Sequence, residues 1–134
     1  MKKLTLLTIT LLVLSLALIA CSGGMNTYEK NLGEDYKIKH LDKDDIEDLA
    51  DAFDIDSDDY AIKNAMRATH EDNGTYIIVF ECSSESKAKE LLNDLDYVVD
   101  MLDDYYSSIE IDAVRDDTFV FIGCEDVIDD ALDR

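Results

Sequence analysis

The chain has 134 residues and is strongly acidic, with 32 aspartates and glutamates against 12 lysines and arginines and a formal net charge of −20 at pH 7. Because the first twenty residues contain two of the lysines and no acid, residues 21–134 carry 10 basic and 32 acidic residues, a formal charge of −22. Such a charge argues against binding to nucleic acid and against lying flat on an anionic lipid surface. This charge is consistent with a soluble domain held away from a membrane. It is also consistent with a domain that binds cations or a basic partner.

The chain begins with a short basic segment and a long apolar one. Lys2 and Lys3 precede an uncharged run over residues 4–20. A basic start, an apolar run and a small residue before a cleavage site are typical of a secretory signal peptide. An uncleaved membrane helix is the alternative, since a run of about 17 residues is at the lower limit for spanning a bilayer.

The apolar run ends in the motif Leu18-Ile19-Ala20-Cys21, which small polar residues follow. This motif resembles the lipobox of bacterial lipoproteins. The resemblance implies that the chain is cleaved before Cys21 and that the sulfur of this cysteine is diacylated. We therefore expect a lipid-anchored protein on the extracytoplasmic face of the cell membrane, or on an outer membrane in a cell that has one.

The next segment separates the anchor from the folded part. Residues 22–34 (SGGMNTYEKNLGE) are polar, contain three glycines and have no hydrophobic period. We expect a flexible tether, with an r.m.s. span of about 20 Å. The predicted organisation is a signal peptide over residues 1–20, a lipidated cysteine and tether over 21–34, and one acidic domain over 35–134.

The first half of the domain predicts one helix and one or two strands. Residues 36–40 alternate in the manner of a short edge strand. A helix is expected over residues 43–53, where apolar residues recur with a helical period behind an aspartate N-cap, Asp42. Residues 60–70 fit a helix or a strand, and the hairpin signal of Asn73-Gly74 favours the strand.

The second half predicts three strands and two helices. The strands are residues 76–82 and 118–124, apolar on both faces and hence central, and residues 109–115, an edge strand. A long helix is expected over residues 85–106, with an apolar stripe that reaches Tyr105, and a short final helix over residues 125–133.

These elements predict an α+β fold: a helix, then strand-strand-helix twice. The two hairpins and a crossover helix predict a four-stranded mixed sheet of order 1-2-4-3, with the long helix packed on it and the central pair parallel. Both helices that follow the strand pairs would cover the same face of the sheet. The other face would need the helix at 43–53, an apolar ligand, a protein partner or a second copy of the chain.

The layout of the domain also carries a resemblance. The joins YIIVFECSSESKAKELL and FVFIGCEDVIDDAL, each an apolar strand that runs into a helix, resemble those of small, uncharacterised bacterial lipoproteins. The likeness is one of layout and contains no catalytic motif, so it implies no functional residue.

Two cysteines other than Cys21 are present, Cys82 and Cys124, each at the end of a predicted central strand. If those strands were parallel neighbours, the two thiols would lie at one level, and a disulfide would be sterically awkward but feasible. The alternative is a pair of small buried hydrophobic residues. With no CxxC motif and no Cys/His cluster, the sequence predicts no zinc site.

The sharpest candidate for a ligand site is the acidic loop with Asp54, Asp56, Asp58 and Asp59. Alternating carboxylates in a loop can converge on Ca²⁺, which prefers oxygen ligands. The loop departs from an EF-hand, because Asp59 stands where glycine is needed. A solvated acidic loop is the alternative.

The sequence contains no pattern for catalysis or for a cofactor. The two histidines have no serine in a nucleophile-elbow context, and no glycine pattern for binding phosphate occurs. The expected function is therefore that of a lipid-anchored binding or interaction module, without enzymatic activity. The alternative is an acidic envelope domain that binds or responds to Ca²⁺.

Overall fold

The structure is a computed structural model that describes residues 24–134. The signal peptide, the lipobox and the acylation of Cys21 lie outside the described residues and stay predictions. Over residues 24–134, no helix is long and apolar enough to cross a membrane.

The described residues form a five-stranded antiparallel sheet with five α-helices. The strands are β1 (Tyr36–Leu41), β2 (Ile62–His70), β3 (Tyr76–Cys82), β4 (Ile111–Asp116) and β5 (Phe119–Cys124). The helices are α1 (residues 24–32), α2 (Lys43–Ala52), α3 (Glu85–Asp94), α4 (Asp96–Tyr105) and α5 (Glu125–Leu132), with a 3₁₀ helix at Ser57–Tyr60. The strand order is β1-β2-β3-β5-β4.

Local signals set several of these elements. Helix α2 begins after Asp42, whose carboxylate accepts from the N–H of Asp45 at 2.8 Å, while the Asp45 carboxylate accepts from the N–H of Asp42. This reciprocal capping box satisfies two amides that the first helical turn leaves free. The strand interpretation of residues 60–70 is confirmed, and Gly74 adopts a φ of +72° in the β2–β3 turn.

The four predicted strands keep their predicted relative order within a sheet of five, but the central pair is antiparallel rather than parallel. Helices α3 and α4 carry the chain from the end of β3 back to the start of β4, so β3 and β4 run in the same direction. Strand β5 follows β4 through the tight turn at Asp117 and Thr118 and returns in the opposite direction between them. It must therefore be antiparallel to both neighbours.

Two further details differ from the sequence prediction. The sheet has a fifth strand, because β1 pairs along β2 from Tyr36↔His70 to Leu41↔Ala65. The long helix is two helices, α3 and α4, which meet at Leu95, a fully buried residue.

Helices cover both faces of the sheet, so the expected open face is filled by the chain itself. Helices α1 and α5 pack on one face, against a core that includes Phe121, Val79 and Met66. Helices α2, α3 and α4 pack on the other face, against a core that includes Phe80 and Val120. The sequence left the cover of the second face open between the helix at 43–53, an apolar ligand and another chain. The expectation that the final helix would share the face of the long helix is wrong, because α5 packs with α1 on the opposite face.

Helix α1 is the cover that the sequence prediction missed. Most of the expected tether is this helix, whose Met25, Tyr28 and Leu32 are buried against the sheet. The Tyr28 ring lies edge-on to Phe121, with ring centres 4.7 Å apart. Its hydroxyl donates to Asp116 at 2.7 Å. The folded domain therefore includes residues 24–34.

Candidate interaction surface

The four predicted calcium ligands differ in their surroundings, although Asp56 and Asp58 line the same surface cavity. Asp56 accepts from the N–H of Asp58 at 3.0 Å and caps the 3₁₀ helix, which is a structural role. Asp54 has a φ of +57° just after α2, and its charge contributes to raising the pKa of Tyr97. Burial, followed by the hydrogen bond to Asp94, raises the pKa of Tyr60, and the charge of Asp59 adds a smaller contribution.

A surface cavity of about 290 Å³ lies beside this loop. Its acidic lining residues are Glu47, Asp51, Asp56 and Asp58. Across residues 24–134, no group of three or more histidine, cysteine, aspartate or glutamate side chains is arranged to hold a metal ion. The cavity is acidic, but its geometry is not that of a calcium centre.

The two strand-end cysteines are buried, free and far apart in the sheet. The antiparallel register pairs Glu81 with Phe119 and Ile77 with Gly123, so Cys82 and Cys124 lie at opposite ends of the β3–β5 pair. The disulfide considered from the sequence depended on parallel pairing and is excluded by this register. Burial, and the charge of Glu81 to a lesser degree, raises the pKa of Cys82 to about 11, which makes it a poor nucleophile.

The free edge of β4 is protected against pairing with another strand. The N–H of Ile111 donates to the carboxylate of Asp103 at 3.1 Å, and the N–H of Ala113 donates to Asp112 at 2.8 Å. At the other edge, β1 carries exposed Lys37 and Lys39. Capped amides and edge lysines both disfavour the addition of a strand from another chain.

One surface of the described residues exposes large apolar side chains, and it lies on helix α4. Tyr97 is 48% exposed, Met101 50% and Tyr105 78%. Spacings of four residues place these three side chains in one row along the helix. We call this row the α4 ridge. An exposed row of apolar side chains on one helix face is more informative about binding than scattered apolar residues are.

An acidic row runs beside the α4 ridge. Asp96, Asp100 and Asp104 are all exposed and follow the same four-residue spacing, one position earlier along the helix. Partial burial, followed by the charges of Asp54 and Asp94, raises the pKa of Tyr97, so further carboxylates lie near the start of the ridge.

Sequence reasoning assigned part of this surface to the core. The predicted apolar stripe of the long helix included Tyr105, which the structure exposes. The buried residue of α4 is Val98, and the half-buried Val99 and Leu102 lie beside it. The sequence does contain a signal for the ridge, because Tyr97, Met101 and Tyr105 recur every four residues and so form a second apolar row on the helix.

Comparison with known proteins does not assign the chain to a family. No family model, curated protein or solved structure matches it. The functional argument therefore depends on the residues and geometry of this chain.

Proposed function

We propose that this protein is a lipid-anchored module, attached through Cys21 to the extracytoplasmic face of a membrane, whose function is to bind a protein partner. The observation that carries the binding function is the exposed α4 ridge, on a domain whose sheet faces are covered by its own helices. The lipobox motif supports the anchor.

The start of helix α1 determines how the domain would sit on its anchor. Consecutive Cα atoms are 3.8 Å apart, so Cys21 can lie at most about 11 Å from Gly24 in any conformation of the link. Gly24 contacts the ring of Phe119, because a Cβ built on this glycine would lie 2.6 Å from that ring. The end of the sheet with the β4–β5 turn would therefore lie close to the membrane.

The same geometry would direct the α4 ridge away from the lipid. Helix α3 begins at the membrane-side end, where the N–H of Cys82 donates to the carbonyl of Thr118 at 2.9 Å. Helix α4 ends at the opposite end, where Asp103 contacts the start of β4. Tyr105, the most exposed residue of the ridge, would then stand on the side that a soluble or membrane-bound partner can reach.

Counting thiols in the purified native protein tests the anchor. Acylated protein should react with no thiol reagent when folded, because both internal cysteines are buried. After denaturation it should show two thiols, since the sulfur of Cys21 is blocked. A third thiol, or an intact Met1 in the mass spectrum, would refute the proposal.

Membrane fractionation with matched variants provides an independent measurement. Cys21→Ala should abolish membrane retention, whereas Ser22→Ala, one residue further along, should not. Retention of the Cys21→Ala variant would contradict the anchor. The calcium-responsive alternative predicts a saturable change in tyrosine fluorescence on addition of Ca²⁺ that Asp56→Asn with Asp58→Asn removes.

A further inference from the structure

We propose that the α4 ridge and its acidic row together dock a cationic amphipathic helix of a partner protein, one that presents an apolar stripe flanked by lysine or arginine. This inference rests on the proposed binding function and specifies the chemistry of the partner. It combines two observations: three exposed apolar side chains in a row, and a parallel row of unpaired carboxylates.

The size of the apolar row suits one helix lying along another. If a large side chain offers roughly 200 Å², the exposed fractions of Tyr97, Met101 and Tyr105 leave roughly 350 Å² in the row. That is comparable with the largest apolar patch on a typical monomer, and such patches are often functional. Tyrosine and methionine also suit a binding surface, because tyrosine combines a ring with a polar end and methionine adapts its shape.

The charge around the ridge selects a positive partner. Residues 90–114 contain eight acids and no lysine, arginine or histidine. Asp104 lies in the last turn of α4, where the backbone dipole is negative and a carboxylate is unfavourable, and Asp100 lies one turn before it. Neither forms an ion pair among the described residues. Lysine or arginine from a partner would reverse this unfavourable arrangement.

The same charges argue against two other occupants. In a symmetric dimer with antiparallel α4 helices, the row Asp96, Asp100 and Asp104 of one copy would lie against the equivalent row of the other. Like charges brought together in this way oppose association. An anionic lipid surface would be repelled for the same reason.

Binding of a designed peptide tests the inference. The probe is a synthetic amphipathic helix of leucine and lysine, compared with a copy in which every lysine is replaced by glutamate. The full chain is purified from cells and, if it is membrane-bound, reconstituted in phosphatidylcholine nanodiscs, with empty nanodiscs as the blank. Peptide fluorescence anisotropy then measures the affinity at low and high salt.

The lysine peptide should bind and the glutamate peptide should not. Replacing Tyr97, Met101 and Tyr105 by serine should weaken binding about tenfold or more, while the circular dichroism of the protein stays unchanged because these side chains are exposed. Equal affinity for the serine variant, or no binding to the wild-type chain, would overturn the inference.

A second pair of variants separates the acidic row from the general acidic coat. The triple variant D96N/D100N/D104N should lower the affinity and flatten its salt dependence. The matched control D44N/D48N/D51N makes the same change in net charge on the exposed side of α2 and should change the affinity by less than twofold. Equal losses in both triples would show only non-specific attraction and would overturn the inference.

The lipid anchor and the docking surface can be refuted independently of each other. Loss of the anchor with intact peptide binding would refute the attachment through Cys21 and leave the docking surface standing. A retained anchor without peptide binding would refute the docking surface alone. A chain that self-associates, and stops doing so when the ridge is replaced by serine, would identify a second copy as the occupant and refute the cationic partner.

Discussion

Replacing Tyr28 by alanine should strongly destabilise the domain, because helix α1 is part of its core. The Tyr28 residue is only 6% exposed, and its ring lies edge-on to Phe119 and Phe121, with ring centres 5.1 and 4.7 Å away. Truncation of a buried aromatic side chain to alanine typically costs about 3–5 kcal/mol. The two edge-to-face ring contacts, each worth about 0.5–1.5 kcal/mol, are included in that cost.

The hydroxyl of Tyr28 makes a separate contribution. Burial, followed by the hydrogen bond to Asp116, raises the pKa of Tyr28, so the hydroxyl stays protonated and donates to the carboxylate at 2.7 Å. Tyr28→Phe keeps the ring and loses this bond, which should cost about 1–2 kcal/mol. This milder variant stays measurable if Tyr28→Ala does not fold.

Urea unfolding followed by circular dichroism measures both losses. With a slope of about 2 kcal/mol per molar urea, Tyr28→Ala should lower the midpoint by about 2 M and Tyr28→Phe by less than about 1 M. The matched control is Asn26→Ala, an exposed position of the same helix, which should leave the midpoint unchanged or slightly higher. If Tyr28→Ala and Asn26→Ala had the same midpoint, α1 would lie outside the cooperative unit and the tether interpretation would return.

Two further predictions concern the backbone of β5 and the pH dependence of stability. Gly123→Ala should cost more than about 2 kcal/mol, because its φ is +148° and a Cβ there would lie 2.4 Å from the carbonyl oxygen of Tyr76. Gly74→Ala, also at positive φ but with open space around it, should cost only about 1 kcal/mol, and equal midpoints in urea would contradict this difference. The hydrogen bond with Glu110, followed by the charge of its carboxylate, raises the pKa of Glu125. The folded domain therefore binds the Glu125 proton more tightly than the unfolded chain does, and the domain loses stability as pH rises through the raised pKa. Glu125→Gln should therefore stabilise the domain at neutral pH and not in acid, and a gain that is the same at both pH values in urea titrations would refute the pairing.

The local elements of this fold could be predicted because their causes are local. The N-cap of Asp42 and the apolar period behind it predict α2, and Asn73-Gly74 predicts the hairpin that makes residues 62–70 a strand. In each case a few neighbouring residues satisfy or restrict the backbone, and no distant contact is needed. The central position of β3 and β5 was also predicted, because strands that are apolar on both faces lie in the middle of a sheet.

Helix α1 shows what local reasoning could not provide. Its apolar residues Met25, Tyr28 and Leu32 lie among glycines and polar residues, and a helix of nine described residues is too short to be stable alone. It is held by distant contacts: the ring of Phe121 and the carboxylate of Asp116 lie far along the chain.

The sequence by itself determined the acidic character of the chain, helix α2 and the two hairpins, and the expectation that Cys21 is acylated. Only the tertiary structure decided that the central strands are antiparallel, which separates Cys82 from Cys124, and that α4 buries Val98 while it exposes Tyr105. The physical reason is that caps and turns act over a few residues. The face that a helix buries depends instead on which distant elements pack against it, and those contacts exist only once the chain has folded.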